Sequence, residues 1–163
     1  MRWTLRSPGE LTEITVEQKE TGELFYQVLK KGHMLIQESA LGLSTDYGDF
    51  TEGLVFQKEE RNSIREEYSI PVGKEIYDNH AEELTLSFKW EKVDFTVRFR
   101  AFDQAAAFRY EIACEGRNEI QVKREKTEFY ITENCKDFWL QDWVPTYEGP
   151  YISRKWDKSI NGQ

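Results

Sequence analysis

Alternation with a period of two dominates the middle of this chain. Leu84, Leu86, Phe88 and Trp90 alternate with Thr85, Ser87 and Lys89. After a short break at Glu91-Lys92, Val93, Phe95, Val97, Phe99 and Ala101 alternate with Asp94, Thr96, Arg98 and Arg100. Successive side chains of a strand point to opposite faces, so the pattern predicts a half-buried antiparallel hairpin with one face inward. Fully burying each large apolar side chain contributes ~1.5–3 kcal/mol. A one-residue slip would put the whole set in water, which specifies the register.

The same period recurs on either side. Asp103-Gln104-Ala105 predicts a turn into a strand through Phe108, Tyr110, Ile112 and Cys114. Ile14 and Val16 lead to a turn at Glu20-Thr21-Gly22, and Leu24, Tyr26 and Val28 return from it. Lys31-Gly32 breaks the pattern before Met34-Leu35-Ile36. Ile64, Glu66, Tyr68 and Ile70 alternate more weakly as far as Pro71, and later strands are expected at Ile120 to Lys123, Glu128 to Thr132 and Phe138 to Leu140. No sustained helical pattern exists. Glu59 to Glu67 has the charge of a short exposed helix, but Asn62 and Ser63 weaken it. Many short strands between regular turns predict an all-β, mostly antiparallel sandwich. Phe88, Phe99, Phe108 and Tyr110 are expected in its core. Residues 1–155 read as one sandwich domain, and 156–163 as a polar tail or the start of a linker.

Composition narrows the partners. The chain has 163 residues, which is the size of one domain. Its formal net charge of −8 argues against nucleic acid and an anionic membrane surface, both of which need clustered Lys and Arg. Neutral sugars and cations stay compatible. No apolar run long enough for a transmembrane helix occurs. No signal-peptide pattern follows Met1-Arg2-Trp3, so the location is periplasmic or secreted if a leader was removed and cytoplasmic otherwise. The two cysteines, Cys114 and Cys135, match no disulfide framework and no zinc spacing; a bridge and two free thiols both remain open.

Little in the residues points to a self-contained active site. His33 follows a turn, and His80 lies just before the strongest strand; neither has a histidine partner at metal spacing. The pairs Glu59-Glu60, Glu66-Glu67 and Glu82-Glu83 arise readily among 30 acidic residues. Adjacent carboxylates on a strand face opposite ways, whereas a glycosidase needs two facing each other across a sugar. Asp137 to Tyr151 is richer. It sets Trp139, Trp143, Tyr147 and Tyr151 beside Asp142 and Glu148. Its aromatics suit either stacking on a sugar or packing the sandwich edge. Its carboxylates offer the oxygen ligands a hard cation prefers.

Several short segments together resemble the N-terminal domain of glycoside hydrolase family 97. They are Ser7-Pro8, Ser39-Ala40-Leu41-Gly42-Leu43, Pro71-Val72-Gly73 (without the Trp of the family's Pro-Val-Trp-Gly), and Asn79-His80-Ala81-Glu82-Glu83-Leu84. Val97-Arg98-Phe99-Arg100-Ala101-Phe102, Ala107-Phe108-Arg109-Tyr110-Glu111 and Phe138-Trp139 follow in the family's order. The resemblance implies a β-super-sandwich similar to galactose mutarotase. It also implies that the domain packs on a (β/α)8 catalytic barrel of the same parent chain, which no part of these residues supplies. The parent would be an α-glucosidase or α-galactosidase whose catalytic carboxylates lie in that barrel, leaving none here. Thr146-Tyr147-Glu148-Gly149-Pro150-Tyr151 resembles the family's Thr-x-Glu-x-x-Tyr segment. This implies that Glu148 is a calcium ligand in a site shared with the barrel, with Trp143 and Tyr147 near the carbohydrate. Two other readings stand beside it. One is a free-standing mutarotase-like enzyme using His80 and Glu83; the other is a carbohydrate-binding module using Trp139 and Trp143.

Overall fold

A computed structural model describes residues 1–69, 71, 76–117, 119–132, 137–141 and 149–155, with 137–141, 154 and 155 described at the backbone alone. The elements are β1 (Arg2–Arg6), β2 (Thr12–Gln18), β3 (Leu24–Lys30), β4 (His33–Leu41), β5 (Leu43–Thr45) and β6 (Val55–Tyr68). They continue with β7 (Tyr77–Trp90), β8 (Val93–Phe102), β9 (Ala106–Ile112), β10 (Val122–Glu125), β11 (Asp137–Gln141) and β12 (Tyr151–Lys155). No helix occurs among the described residues.

Two antiparallel sheets of 4 strands each, β1-β2-β3-β4 and β6-β7-β8-β9, carry the fold. Each is a meander whose strands pair in sequence order. β10 pairs with β5, and β11 with β12, also antiparallel. The turns obey local chemistry. Lys30 pairs with His33, so Lys31 and Gly32 alone make the β3–β4 connection, with φ of 49° and 76°. Positive φ at both positions is the hairpin geometry that matches strand twist. Gly42 stands between β4 and β5 at φ 135°, where a Cβ would lie 2.6 Å from the Phe50 carbonyl oxygen. Only glycine lets the chain approach so closely there.

Alternation places the core. Trp3, Leu5, Ile14, Val16, Leu24, Tyr26 and Val28 from the first sheet are buried against Leu84, Leu86, Phe88, Phe95, Val97 and Phe99 from the second. Rings cross the interface: Trp3 meets Phe88 edge-on at 6.1 Å between centroids. Phe50, from the loop after β5, stacks on Phe95 at 4.7 Å. The all-β antiparallel sandwich is therefore as the periodicity predicts, and Phe88 and Phe99 are fully buried as expected. Phe108 and Tyr110 differ. They pack against the core but stay only half-buried, because β9 is the last strand of its sheet.

Three other expectations change. Glu59 to Glu67 is neither helix nor turn but the body of β6, paired with β7 from Val55↔Lys89 to Tyr68↔Tyr77. It is an edge strand exposed along nearly its whole length, so only the weak alternation from Ile64 to Tyr68 marked it in the sequence. Ion pairs two residues apart line it, Lys58–Glu60 at 2.8 Å and Arg61–Glu59 at 2.7 Å. The expected strand at Glu128 to Thr132 is an irregular run bonded along β4, with a single bridge at Ile36↔Ile131. β1 and β12 add pairings that the periodicity did not predict, Trp3↔Val16 and Gln141↔Tyr151 among them.

Candidate functional site

The outward face of β7, β8 and β9 gathers charges that are far apart in sequence. Arg98 and Arg100 alternate with the buried Val97, Phe99 and Ala101, which sends both guanidinium groups away from the core. Register sets Arg100 beside Glu83 and Ala107, and Arg98 beside Thr85 and Arg109. Arg98 Nη1 and Arg100 Nε donate to the two Glu83 oxygens at 2.8 and 2.7 Å. Arg98 Nε and Arg109 Nε both donate to Glu111 Oε1, at 2.9 and 2.8 Å. The Glu83 side chain is only 4% exposed beneath this lattice. The neighbouring Thr85 Oγ1 is buried with no partner.

Electrostatics hold the network ionised. Burial pushes the Glu83 carboxyl up, but hydrogen bonds from Arg100 and Arg98 outweigh it and keep it below the usual carboxylate range. Glu111 is held low chiefly by its hydrogen bond from Arg98. Both groups ionise more readily folded than unfolded. Their stabilisation is therefore complete above the unfolded value, about 4.3, and is lost as pH falls through the lower folded values. Urea midpoints measured from about pH 7 down to about pH 3 should fall on the acid side of that value. The fall should be shallower in Glu83→Gln. An identical acid profile for the two proteins would contradict the assignment.

A second feature lies on the open flank of the sandwich. Residues 126–132 run beside β4 and β5: Lys126 and Glu128 N–H groups donate to Gly42 and Ala40 carbonyls, and Gln37 N–H donates to the Tyr130 carbonyl. This segment meets β9 through side chains, with Phe129 stacked on Phe108 at 6.1 Å between centroids. Between them lies a cavity of about 300 Å³, lined by Tyr26, Val28, Leu35, Phe99, Phe108 and Phe129 among others. A shallower hollow of about 610 Å³ continues past Tyr110 and Ile112 to Ile120 and Val122. Tyr110 spans the flank between the two hollows. Its hydroxyl accepts from Gly42 N–H at 3.0 Å and bonds Thr127 Oγ1 at 2.7 Å. Tyr26 donates to the Glu128 carbonyl at 2.9 Å, and burial pushes its hydroxyl up to about 12. Neither hollow has a facing pair of carboxylates in its lining.

The residues singled out from the sequence fall as follows. Trp143, Tyr147, Glu148 and Asp142 lie outside the described residues, as does Cys135; Cys114 is a free thiol. Gln141 faces Tyr151 across the β11–β12 pair. Tyr151 is exposed. His33 sits exposed at the β3–β4 turn, as expected. His80 is exposed and pairs across the strands with Arg65, while Glu83, three residues on, points to the other face and is engaged by arginines. The structure thus does not bring His80 and Glu83 together. Among the described residues no three His, Cys, Asp or Glu side chains are grouped to hold a metal. The outer-face network was missed in the sequence. Its only signal was charge at alternate positions of β8 and β9.

The geometry accounts for four of the segments that carry the family resemblance. Glu83, Arg98, Arg100, Arg109 and Glu111 come from three of them and meet in one network, and Gly42 supplies the backbone that a fourth requires. Comparison with known proteins agrees. The family model described as "Glycosyl-hydrolase 97 N-terminal" matches residues 5–162. A "Probable retaining alpha-galactosidase" of Streptomyces bingchenggensis (strain BCW-1) is 29% identical over 114 residues, covering 66% of this chain and 18% of that protein. A glycoside hydrolase family 97 enzyme from Pseudoalteromonas sp. strain K8, solved with acarbose, superposes with a TM-score of 0.78 at 26% identity. It covers 94% of this chain but only 24% of its own. A beta-arabinopyranosidase crystal structure gives a TM-score of 0.77 at 28% identity, covering 92% of this chain and 26% of its own. The chain thus spans about a quarter or less of these relatives. With the sandwich, its register and this match over nearly every residue, the chain belongs to the N-terminal domain family of glycoside hydrolase family 97.

Proposed function

We propose that this chain is the non-catalytic N-terminal part of an α-glucosidase- or α-galactosidase-type glycoside hydrolase. It packs on a (β/α)8 barrel of the same parent polypeptide and completes the barrel's carbohydrate and calcium site. The carrying observation is that nearly the whole chain superposes on a family 97 enzyme while spanning 24% of it. The carboxylates of the outer-face network support the same division of labour. Glu83 and Glu111 are bound up with arginines and serve the sheet, and a glycosidase needs two free to face a sugar.

Glu148 contributes one calcium ligand in this reading, with Trp143 and Tyr147 beside the sugar. Calcium takes ~6–8 oxygens, and the described residues offer no cluster of three. In this reading the barrel supplies the remaining ligands. Two measurements test this. The purified chain should show no turnover of aryl α-glucosides or α-galactosides above background. Calorimetry should show only weak calcium binding, on the order of millimolar, the weak end of the range for calcium sites. Turnover proportional to pure protein, or micromolar calcium affinity abolished by Glu148→Gln, would contradict a shared site. In the full-length parent, Glu148→Gln should weaken calcium-dependent activity and leave the fold intact.

A further inference from the structure

Every other ion pair among the described residues joins one cation to one or two carboxylates. On the outer face of β8 and β9 the ratio inverts: Arg98, Arg100 and Arg109 share Glu83 and Glu111. The inversion is local, since the whole chain carries a formal net charge of −8.

The donors show where the surplus lies. Arg98 commits Nε, Nη1 and Nη2, to Glu111 and Glu83. Arg100 commits Nε alone, and Arg109 commits Nε and Nη2. Both Nη groups of Arg100 and Nη1 of Arg109 therefore have no acceptor among the described residues. A guanidinium donates and never accepts, so only an acceptor can meet them.

The register opens a hollow at the same place. Ala107 stands opposite Arg100, and Arg109 opposite Arg98. The exposed Ala107 offers only a methyl group beside these long side chains. What remains is a hollow of about 110 Å³, lined by Arg98, Arg100, Ala107, Phe108 and Arg109. No carboxylate lines it. A single water needs roughly 10–15 Å³ of such space, so the hollow takes a group of several atoms. Two of its walls are set in advance. Arg98 and Arg100 are anchored on Glu83, whose side chain is 4% exposed. A free surface arginine loses rotamer freedom when it grips an anion, and here folding has already restricted these two.

We propose that this hollow is a carboxylate-binding site, with the free Nη groups of Arg100 and Arg109 as donors and Ala107 as its floor. The planar fork of a guanidinium matches the two oxygens of a carboxylate. Three guanidinium groups against two carboxylates leave one positive charge, which a monoanion neutralises and a phosphate dianion overshoots. Two sources carry this chemistry: an acidic sugar, or an aspartate or glutamate from another part of the parent polypeptide. The second source rests on the reading of the chain as part of a larger hydrolase; the site itself does not.

NMR of the chain's backbone amides and arginine Nε groups at about pH 7 and constant ionic strength tests the proposal, with sodium acetate, sodium glucuronate, inorganic phosphate and neutral glucose as probes. Acetate and glucuronate should shift Ala107, Phe108, Arg109 and the Arg100 side chain saturably, with Kd on the order of millimolar. Glucose should shift none of them. Arg109→Gln should weaken binding roughly fivefold or more. Ala107→Glu brings a carboxylate of the chain's own to the hollow, so it should abolish binding without lowering the urea midpoint. Both positions are exposed, which keeps the fold out of the comparison. Glucuronate binding tighter than acetate by about tenfold or more assigns the site to an acidic sugar, and a smaller difference assigns it to a protein carboxylate. No saturable shift, binding unchanged in either variant, or tighter binding of phosphate than of both carboxylates overturns the proposal. No barrel, calcium or glycosidic bond enters this measurement, so its failure leaves the hydrolase-domain reading standing.

Discussion

Replacing Phe99 by alanine should lower the unfolding free energy by about 3–5 kcal/mol, the range for truncating a buried phenylalanine. Phe99 lies at the centre of β8, fully buried, with Leu84 beside it on β7 and Phe108 beside it on β9. Its ring meets that of Phe108 at 6.0 Å. Both neighbouring strands are tied by backbone ladders, so they cannot collapse into the space left behind. Against a total stability of roughly 5–15 kcal/mol for a domain, the loss is large. Urea denaturation followed by tryptophan fluorescence measures it as a lower midpoint at unchanged slope. The half-buried Phe108 should lose distinctly less on the same change. A midpoint unmoved by Phe99→Ala, or a larger loss at Phe108, would show that the strand facing is wrong.

Glu83→Gln should be the most damaging of the charge changes, at roughly 2–4 kcal/mol. The substitution keeps the shape and removes the negative charge. Arg98 and Arg100 then converge on an amide, and one carbonyl oxygen replaces two carboxylate acceptors. The cost stays below that of a fully buried pair because the two arginine side chains are 25% and 36% exposed, so water solvates them in part. A double-mutant cycle with Arg100→Gln isolates the pairwise part. Loss under about 0.5 kcal/mol, the level of an exposed ion pair, would show that the network is surface decoration. The same cycle on Lys58 and Glu60, exposed on β6, serves as the control and should show little coupling.

Legibility in the sequence followed the asymmetry of each strand. β7 and β8 have one dry face and one wet face, so their hydrophobic period is strong and their pairing was evident from Leu84 to Ala101. β6 is wet along almost all of its length, so its period was weak, and the charge of Glu59 to Glu67 left a short exposed helix as the competing reading. β1 is short, and its two buried positions, Trp3 and Leu5, are too few to establish a period. In β12 the polar Ser153, Arg154 and Lys155 mask an element that exists through its pairing with β11.

The same reasoning separates the two candidate sites. The network of Glu83, Arg98, Arg100, Arg109 and Glu111 was invisible as a cluster because register, a long-range property, decides which charges become neighbours.

Alternation along the chain by itself determined the fold class, the facing of the central hairpin and the burial of Phe88 and Phe99, because one dry face per strand admits a single register. Only the tertiary structure decided that Phe108 and Tyr110 stay half-open, that Glu83 is roofed by arginines rather than paired with His80, and that β9 pairs with β8 alone among the described residues. Those outcomes depend on which strand lies next to which and on what is laid against the last one. A strand's own side-chain period carries no information about its neighbours.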